Sequence, residues 1–159
     1  VRDSLLQRAR TTVEHALEGR PWPQIVMHVR RGDYLHFKPY GLTDVALPAS
    51  YYLSAAVEAR RGLGGVQSVL VVSDDADWCR QELTALGEFS VLNNSEAIDF
   101  SILTLFPVIV IANSTFSLTA ACVSPQMRRV IAPAYWWGHH VAQWMPSCIR
   151  SDDPRFTYV

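Results

Sequence analysis

Residues 25–34 read Ile-Val-Met-His-Val-Arg-Arg-Gly-Asp-Tyr, and this segment is the most informative one about the fold. Its apolar first part predicts a buried strand, and its second part places two guanidinium groups and a carboxylate directly behind that strand. In open α/β sheets, ligands bind at the carboxyl edge of the strands. Because arginine's planar fork matches phosphate oxygens two at a time, Arg30 and Arg31 before Gly32 suggest recognition of a diphosphate. The alternative is an exposed basic turn with its own salt bridge to Asp33.

Strands and helices alternate along the rest of the chain. Apolar residues at helical spacing predict helices over residues 2–19, 50–60, 75–86, 96–105 and 116–122. Short apolar runs predict strands over residues 24–29, 66–72, 89–92, 108–112 and 130–132. Residues 35–47 carry Pro39 and Gly41 and predict a loop near the site. Because such alternation requires helical crossovers, we expect an α/β fold, a Rossmann-like doubly wound parallel sheet forming a single domain over residues 1–159.

The composition excludes several classes of protein. Hydrophobic residues make up 49% and charged residues 18% of the 159, as in a globular domain, and the net charge of -1 leaves no basic surplus for nucleic acid. Cys79, Cys122 and Cys148 are odd in number and widely spaced, which argues against a disulfide framework or a zinc site and fits a reducing compartment. The longest apolar run, residues 102–112, is interrupted by Pro107 and is too short for a transmembrane segment.

These features predict a cytoplasmic location, because no signal peptide is visible either. If the protein is bacterial, peripheral attachment to the inner membrane is the alternative. The chain begins at Val1, directly in helical sequence, so it is either a piece of a longer protein or a trimmed chain.

Four predicted strand ends carry polar residues, at positions 28–33, 73–75, 93–95 and 113–115. Since the carboxyl ends of parallel strands meet at one edge of a sheet, we expect these residues to converge. The group Asn113-Ser114-Thr115 offers hydrogen-bond donors at the start of a helix, where an anionic group binds well. Helix capping alone is the alternative explanation for that group.

Two other motifs have structural explanations. Asp75-Ala76-Asp77 has the D-x-D spacing that some sugar transferases use for a divalent metal, but acidic residues in a first helical turn commonly cap the helix, and we favour capping. His139 and His140 stand beside Trp136 and Trp137, and adjacent residues rarely ligate one ion, so we expect no metal there. These aromatic residues predict a hydrophobic closure over the sheet, with sugar stacking left open.

Taken together, these motifs resemble those of the α-1,2-fucosyltransferases, and their pattern is similar to that of glycosyltransferase family 11. Residues 28–34 match the H-x-R-R-G-D-Y signature of that family, which α-1,6 and O-fucosyltransferases share in looser form. Residues 72–75, 109–121 and 130–136 resemble its later blocks in order and spacing, so the resemblance covers about residues 24–137. The chain departs from the pattern at Leu118-Thr119, where the family usually has tryptophans.

The resemblance implies the C-terminal, GDP-fucose-binding half of a two-lobed GT-B enzyme, with the N-terminal acceptor lobe absent from this chain. It implies transfer of fucose from GDP-fucose to O2 of a galactose-containing glycan with inversion, without a metal and without any cofactor besides the donor. The alternative is a non-catalytic or truncated GDP-sugar-binding domain that needs a partner lobe. A dehydrogenase or a kinase is disfavoured, because no G-x-G-x-x-G follows the first strand and no P-loop motif occurs.

By the same resemblance, Arg30 is the candidate that contacts the β-phosphate of the leaving GDP and stabilises its growing charge. Asp33 is either the general base or an orienting partner for Arg31. Arg31 itself braces the loop or a phosphate, and Gly32 allows close approach of the backbone. Further roles are support of the nucleotide, recognition of guanine and binding of phosphate. His28 is the candidate for support of the nucleotide, and Asp99 is the candidate for recognition of guanine. Ser114 and Thr115 are the candidates for binding of phosphate, and Asn113 is a further candidate for substrate binding.

Overall fold

The structure is a computed structural model that describes residues 3–65, 67–146 and 148–159. In these residues, six strands alternate with five α-helices. The strands are β1 (Ile25–Val29), β2 (Val69–Ser73), β3 (Phe89–Leu92), β4 (Val108–Val110), β5 (Arg129–Ala132) and β6 (Phe156–Tyr158). The helices are α1 (Asp3–Leu17), α2 (Ala49–Arg60), α3 (Ala76–Glu82), α4 (Glu96–Leu103) and α5 (Thr115–Val123). No helix in the described part of the chain is long and apolar enough to cross a membrane.

All six strands form one parallel sheet in the order β3-β2-β1-β4-β5-β6, which confirms the predicted fold class. Ile25 of β1 lies beside Val69 of β2 on one side and Val108 of β4 on the other. The chain runs outward from β1 to β3 and then returns to the other side of β1 with β4. This reversal makes the carboxyl ends of β1 and β4 the switch point, where ligands bind in doubly wound sheets.

The sheet is covered by helices on both faces because its central strands are apolar on both sides. Along β1 the side chains alternate, so that Ile25, Met27 and Val29 pack with α2 and α3, and Val26 packs with α1, α4 and α5. His28 shares the face of Val26 and is therefore the polar residue that ends this side of the strand. Two cores thus hold β1 rigidly and deliver the residues that follow it to one edge.

Strand β6 and the end of α3 differ most from the sequence-based expectation. Strand β6 was not predicted, because Phe-Thr-Tyr is too short to show a period of its own and pairs with β5 at the sheet edge. The helix expected to reach residue 86 ends at Glu82 and is followed by the 3₁₀ turn Thr84–Leu86, which leads into Gly87 at φ +81°. Arg2 and Val66, the first residues of two predicted elements, lie outside the described residues, as does Val1.

Candidate functional site

A cleft of about 440 Å³ opens at the carboxyl edge of the sheet, beside the switch point. Its walls come from the ends of β1, β2 and β3 and from the first turns of α4 and α5. The sequence-predicted site residues that line it are His28, Arg30, Asp33, Asp99, Ser114 and Thr115. The predicted convergence of strand ends is therefore present in the fold.

Arg30 follows β1 directly and holds its guanidinium group at the cleft between two carboxylates. Its Nη2 lies 2.7 Å from Oδ1 of Asp33, and its Nη1 lies 3.0 Å from Oδ2 of Asp74. The ring of Tyr34 lies beneath the same group, 5.7 Å from the guanidinium carbon. Two ion pairs and a ring contact fix this cation in place at the cleft.

Asp74 contacts both Arg30 and the backbone of Arg31, although the sequence analysis gave it no role. Besides Arg30, it accepts a 2.9 Å hydrogen bond at Oδ1 from the backbone N–H of Arg31. A Cβ added at Gly32 would lie 2.7 Å from Oδ2 of Asp74, so the glycine leaves room for this carboxylate. The signal was in the sequence, because Val-Ser-Asp-Asp at residues 72–75 was already recognised as a polar strand end.

Arg31 points away from the cleft and braces the loop against α3. Its Nε lies 3.3 Å from Oδ2 of Asp75, and its guanidinium carbon lies 3.9 Å from the centre of the Trp78 ring. Asp75 also caps α3 by accepting a 3.1 Å hydrogen bond from the backbone N–H of Trp78. Of the two roles expected for Arg31, these contacts correspond to bracing of the loop rather than to binding of a phosphate.

The D-x-D motif is a helix cap, as the sequence analysis favoured. Asp75 is the N-cap of α3, and Asp77 forms a 2.8 Å ion pair with Arg80 on the exposed surface. The two carboxylates thus point to different partners. Among the residues that the structure describes, no group of three or more His, Cys, Asp or Glu side chains could hold a metal ion.

His28 is a buried, neutral imidazole at the base of the cleft. It is only 5% exposed, its ring lies 5.4 Å from that of Phe116, and its Nδ1 has no hydrogen-bond partner within the described residues. Burial, with a smaller contribution from the charge of Arg30, lowers the pKa of His28 to about 3. The cleft therefore holds a neutral polar side chain with an unused nitrogen rather than a second cation.

The N-terminus of α5 forms another part of the cleft wall. The hydroxyl of Ser114 caps the helix by accepting a 3.3 Å hydrogen bond from the Phe116 N–H, while Thr115 is exposed in the cleft. Capping therefore accounts for part of the motif, and Thr115 stays accessible to a ligand. Asn113 is buried outside the lining, where its Nδ2 donates a 2.8 Å hydrogen bond to the carbonyl of Val45.

Asp99, in the first turn of α4, is buried rather than solvent-facing, with 8% of its surface exposed. Its Oδ2 accepts a 3.1 Å hydrogen bond from the backbone N–H of Asn94, and its Oδ1 accepts a 2.8 Å bond from the side-chain amide of the same residue. Burial raises the pKa of Asp99, and the two bonds from Asn94 partly offset this. Each oxygen retains a lone pair, so the carboxylate can accept further N–H groups from a ligand.

The charges that line the cleft are mostly negative. Arg30 faces four acidic residues, namely Asp33, Asp74, Glu96 and Asp99, and the neutral His28 adds no positive charge. Arg31 is turned toward α3. A ligand anion therefore depends on close contact with one guanidinium group and with the N–H groups of α5.

The family model described as Glycosyl transferase family 11 matches residues 1–143 of this chain. The O-antigen biosynthesis glycosyltransferase WbnK of Escherichia coli is 31% identical over 116 residues, which are 70% of this chain and 38% of WbnK. Galactoside alpha-(1,2)-fucosyltransferase 2 of Mus musculus is 32% identical over 107 residues, 64% of this chain and 30% of the relative. The chain thus spans about a third of the length of these curated relatives.

Solved structures of low sequence identity share the fold. POFUT1 in complex with GDP-fucose superposes with a TM-score of 0.56 at 16% identity, over 82% of this chain and 46% of that one. NodZ alpha-1,6-fucosyltransferase soaked with GDP-fucose gives a TM-score of 0.50 at 15% identity, over 81% of this chain and 44% of that one. At these identities the likeness concerns the arrangement of helices and strands.

Proposed function

The chain belongs to glycosyl transferase family 11, and we propose that it is the donor-binding domain of a fucosyltransferase that takes fucose from GDP-fucose. The proposed acceptor is O2 of a galactoside within a galactose-containing glycan, and the proposed stereochemical course is inversion. Relatives named galactoside alpha-(1,2)-fucosyltransferase support this acceptor. The observation that carries the proposal is that Arg30 and the N-terminus of α5 open onto one cleft at the switch point of the sheet.

The proposed chemistry is a direct displacement at the anomeric carbon, with GDP as the leaving group and without a metal. As the bond to fucose breaks, negative charge grows on the β-phosphate. Asp74 holds Arg30 at the cleft, and a guanidinium group fixed in this way stabilises that charge. Thr115 and the adjoining N–H groups of α5 are placed to hold the phosphates at the positive end of the helix dipole.

Asp33 is the candidate for the general base. Its side chain is 65% exposed, lines the cleft and lies next to Arg30. This carboxylate is paired with Arg30, so engagement of Arg30 by phosphate would release it to accept the proton of the acceptor hydroxyl. Asp99 is proposed to accept the N–H groups of guanine, and His28 to support the nucleotide through its unused Nδ1.

We also propose that the protein acts in the cytoplasm. Cys79, Cys122 and Cys148 are all free thiols, as in a reducing compartment. Nucleic acid is not a proposed partner, because the net charge of -1 offers no surplus of basic residues.

The proposal is tested by calorimetric titration of the chain with GDP, with ADP and UDP as matched controls. Selective binding of GDP supports the donor-binding assignment, and equal binding of ADP would refute the recognition of guanine. A transfer assay with GDP-fucose and lactose follows. Binding of GDP without transfer would favour the second candidate function, a GDP-sugar-binding domain that needs a partner lobe.

Replacing Gly32 with alanine should lower the affinity for GDP roughly tenfold, the scale of one charge-assisted hydrogen bond. The added methyl group would lie 2.7 Å from Oδ2 of Asp74, so this carboxylate must move away from Arg30 and from the N–H of Arg31. Because the clashing atom ends a flexible side chain, the melting temperature should change little. Calorimetry and thermal unfolding measure the two effects.

The matched control for this variant is Gly64→Ala, because a Cβ at Gly64 meets nothing within 4 Å. That variant should bind GDP as the parent chain does. If Gly32→Ala also binds GDP normally, the Asp74 contact does not position Arg30.

A further inference from the structure

Three aromatic side chains form a continuous row from the cleft wall to the surface. Tyr34 lines the cleft, its ring centre lies 6.4 Å from that of Phe37, and Phe37 meets Trp137 edge-on at 5.3 Å. Phe37 is 42% exposed, which is a large fraction for a phenyl ring. These three residues, called the aromatic row below, include one of the tryptophans for which the sequence analysis left sugar stacking open.

Hydrogen bonds anchor the Tyr34 and Phe37 part of the aromatic row. The Tyr34 hydroxyl donates to the carbonyl of Asn113 at 3.3 Å, and the N–H of Phe37 donates to the carbonyl of Asp33 at 2.9 Å. Trp137 belongs to the 3₁₀ turn Trp136–Val141, whose His140 lies 2.7 Å from the carbonyl of Ala46 in the loop that follows the row. A ligand that stacks on this surface would lose little affinity to the ordering of side chains.

We infer that the aromatic row binds the acceptor saccharide, with the apolar face of a pyranose on Phe37 and its hydroxyl edge toward Asp33. This inference rests on the proposed function. A pyranose combines a C–H face with a rim of hydroxyl groups, and an aromatic surface bordered by a carboxylate complements both. The row is continuous with the donor cleft through Tyr34, and the exposed Asp33 lies one residue before it.

The composition of the row favours a saccharide over the diphosphate of the donor. A diphosphate needs cations or N–H groups, and none of the three rings supplies a charge. Galactose suits the surface well, because its axial O4 leaves a continuous patch of C–H groups on the opposite face of the ring. The row therefore provides an acceptor subsite beside the place where the fucosyl group would be transferred.

The test is saturation-transfer NMR on the chain with lactose, in the presence of saturating GDP. The expected result is saturation of the galactose C–H protons, with at least a fivefold weaker lactose affinity in Phe37→Ala. Phe37→Leu, which keeps apolar bulk and removes the ring, should show the same loss. Trp144→Ala is the matched control, because Trp144 is 40% exposed but packs with Tyr135 and Tyr158 in a separate cluster.

Each outcome bears on the inference separately from the proposed function. GDP binding without any lactose signal, or a lactose signal that survives in both Phe37 variants, overturns the aromatic row as acceptor subsite and leaves the donor-binding proposal standing. Loss of the lactose signal in Trp144→Ala would also overturn it. Failure of GDP to bind at all would instead refute the proposed function.

Discussion

Replacement of Arg30 by alanine is expected to weaken GDP binding by about 2–4 kcal/mol, which corresponds to roughly a thirtyfold to a thousandfold rise in Kd. The substitution removes the charged group proposed to contact the β-phosphate. It also leaves Asp33 and Asp74 without their partner, so two carboxylates would face the diphosphate where one cation stood. Calorimetric titration of the variant with GDP measures the loss.

One further variant separates the charge of Arg30 from its shape, and a second serves as the control. Arg30→Lys keeps the positive charge but lacks the planar fork, and its affinity for GDP should fall between those of the parent chain and the alanine variant. Arg80→Ala removes a surface guanidinium group that pairs with Asp77, and it should bind GDP normally. An unchanged affinity in Arg30→Ala would refute the assignment of the donor site to this cleft.

Acid is expected to destabilise the fold through His28, by about 2 kcal/mol between pH 7.5 and pH 5. The pKa of this imidazole is about 3 in the folded protein, against 6.5 for an unperturbed histidine. Between these two values the unfolded chain binds a proton that the folded chain does not. The free energy of unfolding therefore falls by about 1.4 kcal/mol for each pH unit below 6.5, and above 6.5 the contribution is constant.

Urea unfolding of the parent chain and of His28→Gln at several pH values measures this effect. The variant should lose about 2 kcal/mol less than the parent chain between pH 7.5 and pH 5. The raised pKa of Asp99 acts with the opposite sign, but it is present in both proteins and cancels in the comparison. His15→Gln, at an exposed position, should follow the parent curve. Parallel curves for the parent chain and His28→Gln would show that folding does not lower the pKa of His28.

The fold and the position of the cleft follow from short-range patterns. Short apolar runs that alternate with helical segments specify parallel strands, and the carboxyl ends of parallel strands share one edge of the sheet. For this reason Arg30 and Thr115 line the same cleft although they lie 85 positions apart in the sequence. Strand β6 could not be predicted in this way, because its three residues at the sheet edge show no periodicity and depend on pairing with β5.

The directions of side chains beyond the strand ends follow from contacts between distant parts of the chain. Arg30 and Arg31 are adjacent in sequence, yet one enters the cleft and the other lies on Trp78. The alternation of β1 stops at Val29, and the partners that then decide the directions, Asp74 and Asp75, follow more than forty residues later. Sequence patterns therefore predicted the positions of the two arginines, whereas the choice for Arg31 between bracing the loop and binding a phosphate depended on these distant contacts.

The excess of carboxylates around Arg30 has a consequence for the kinetics of nucleotide capture. At long range an approaching diphosphate meets a field that is net negative, so electrostatic steering does not accelerate its encounter with the cleft. At contact range Arg30 and the end of α5 attract it. Higher ionic strength should then raise the association rate constant, because it screens the repulsion, while the dissociation rate constant rises as the direct contacts weaken. Tight binding of the proposed diphosphate would thus depend on slow release rather than on fast arrival.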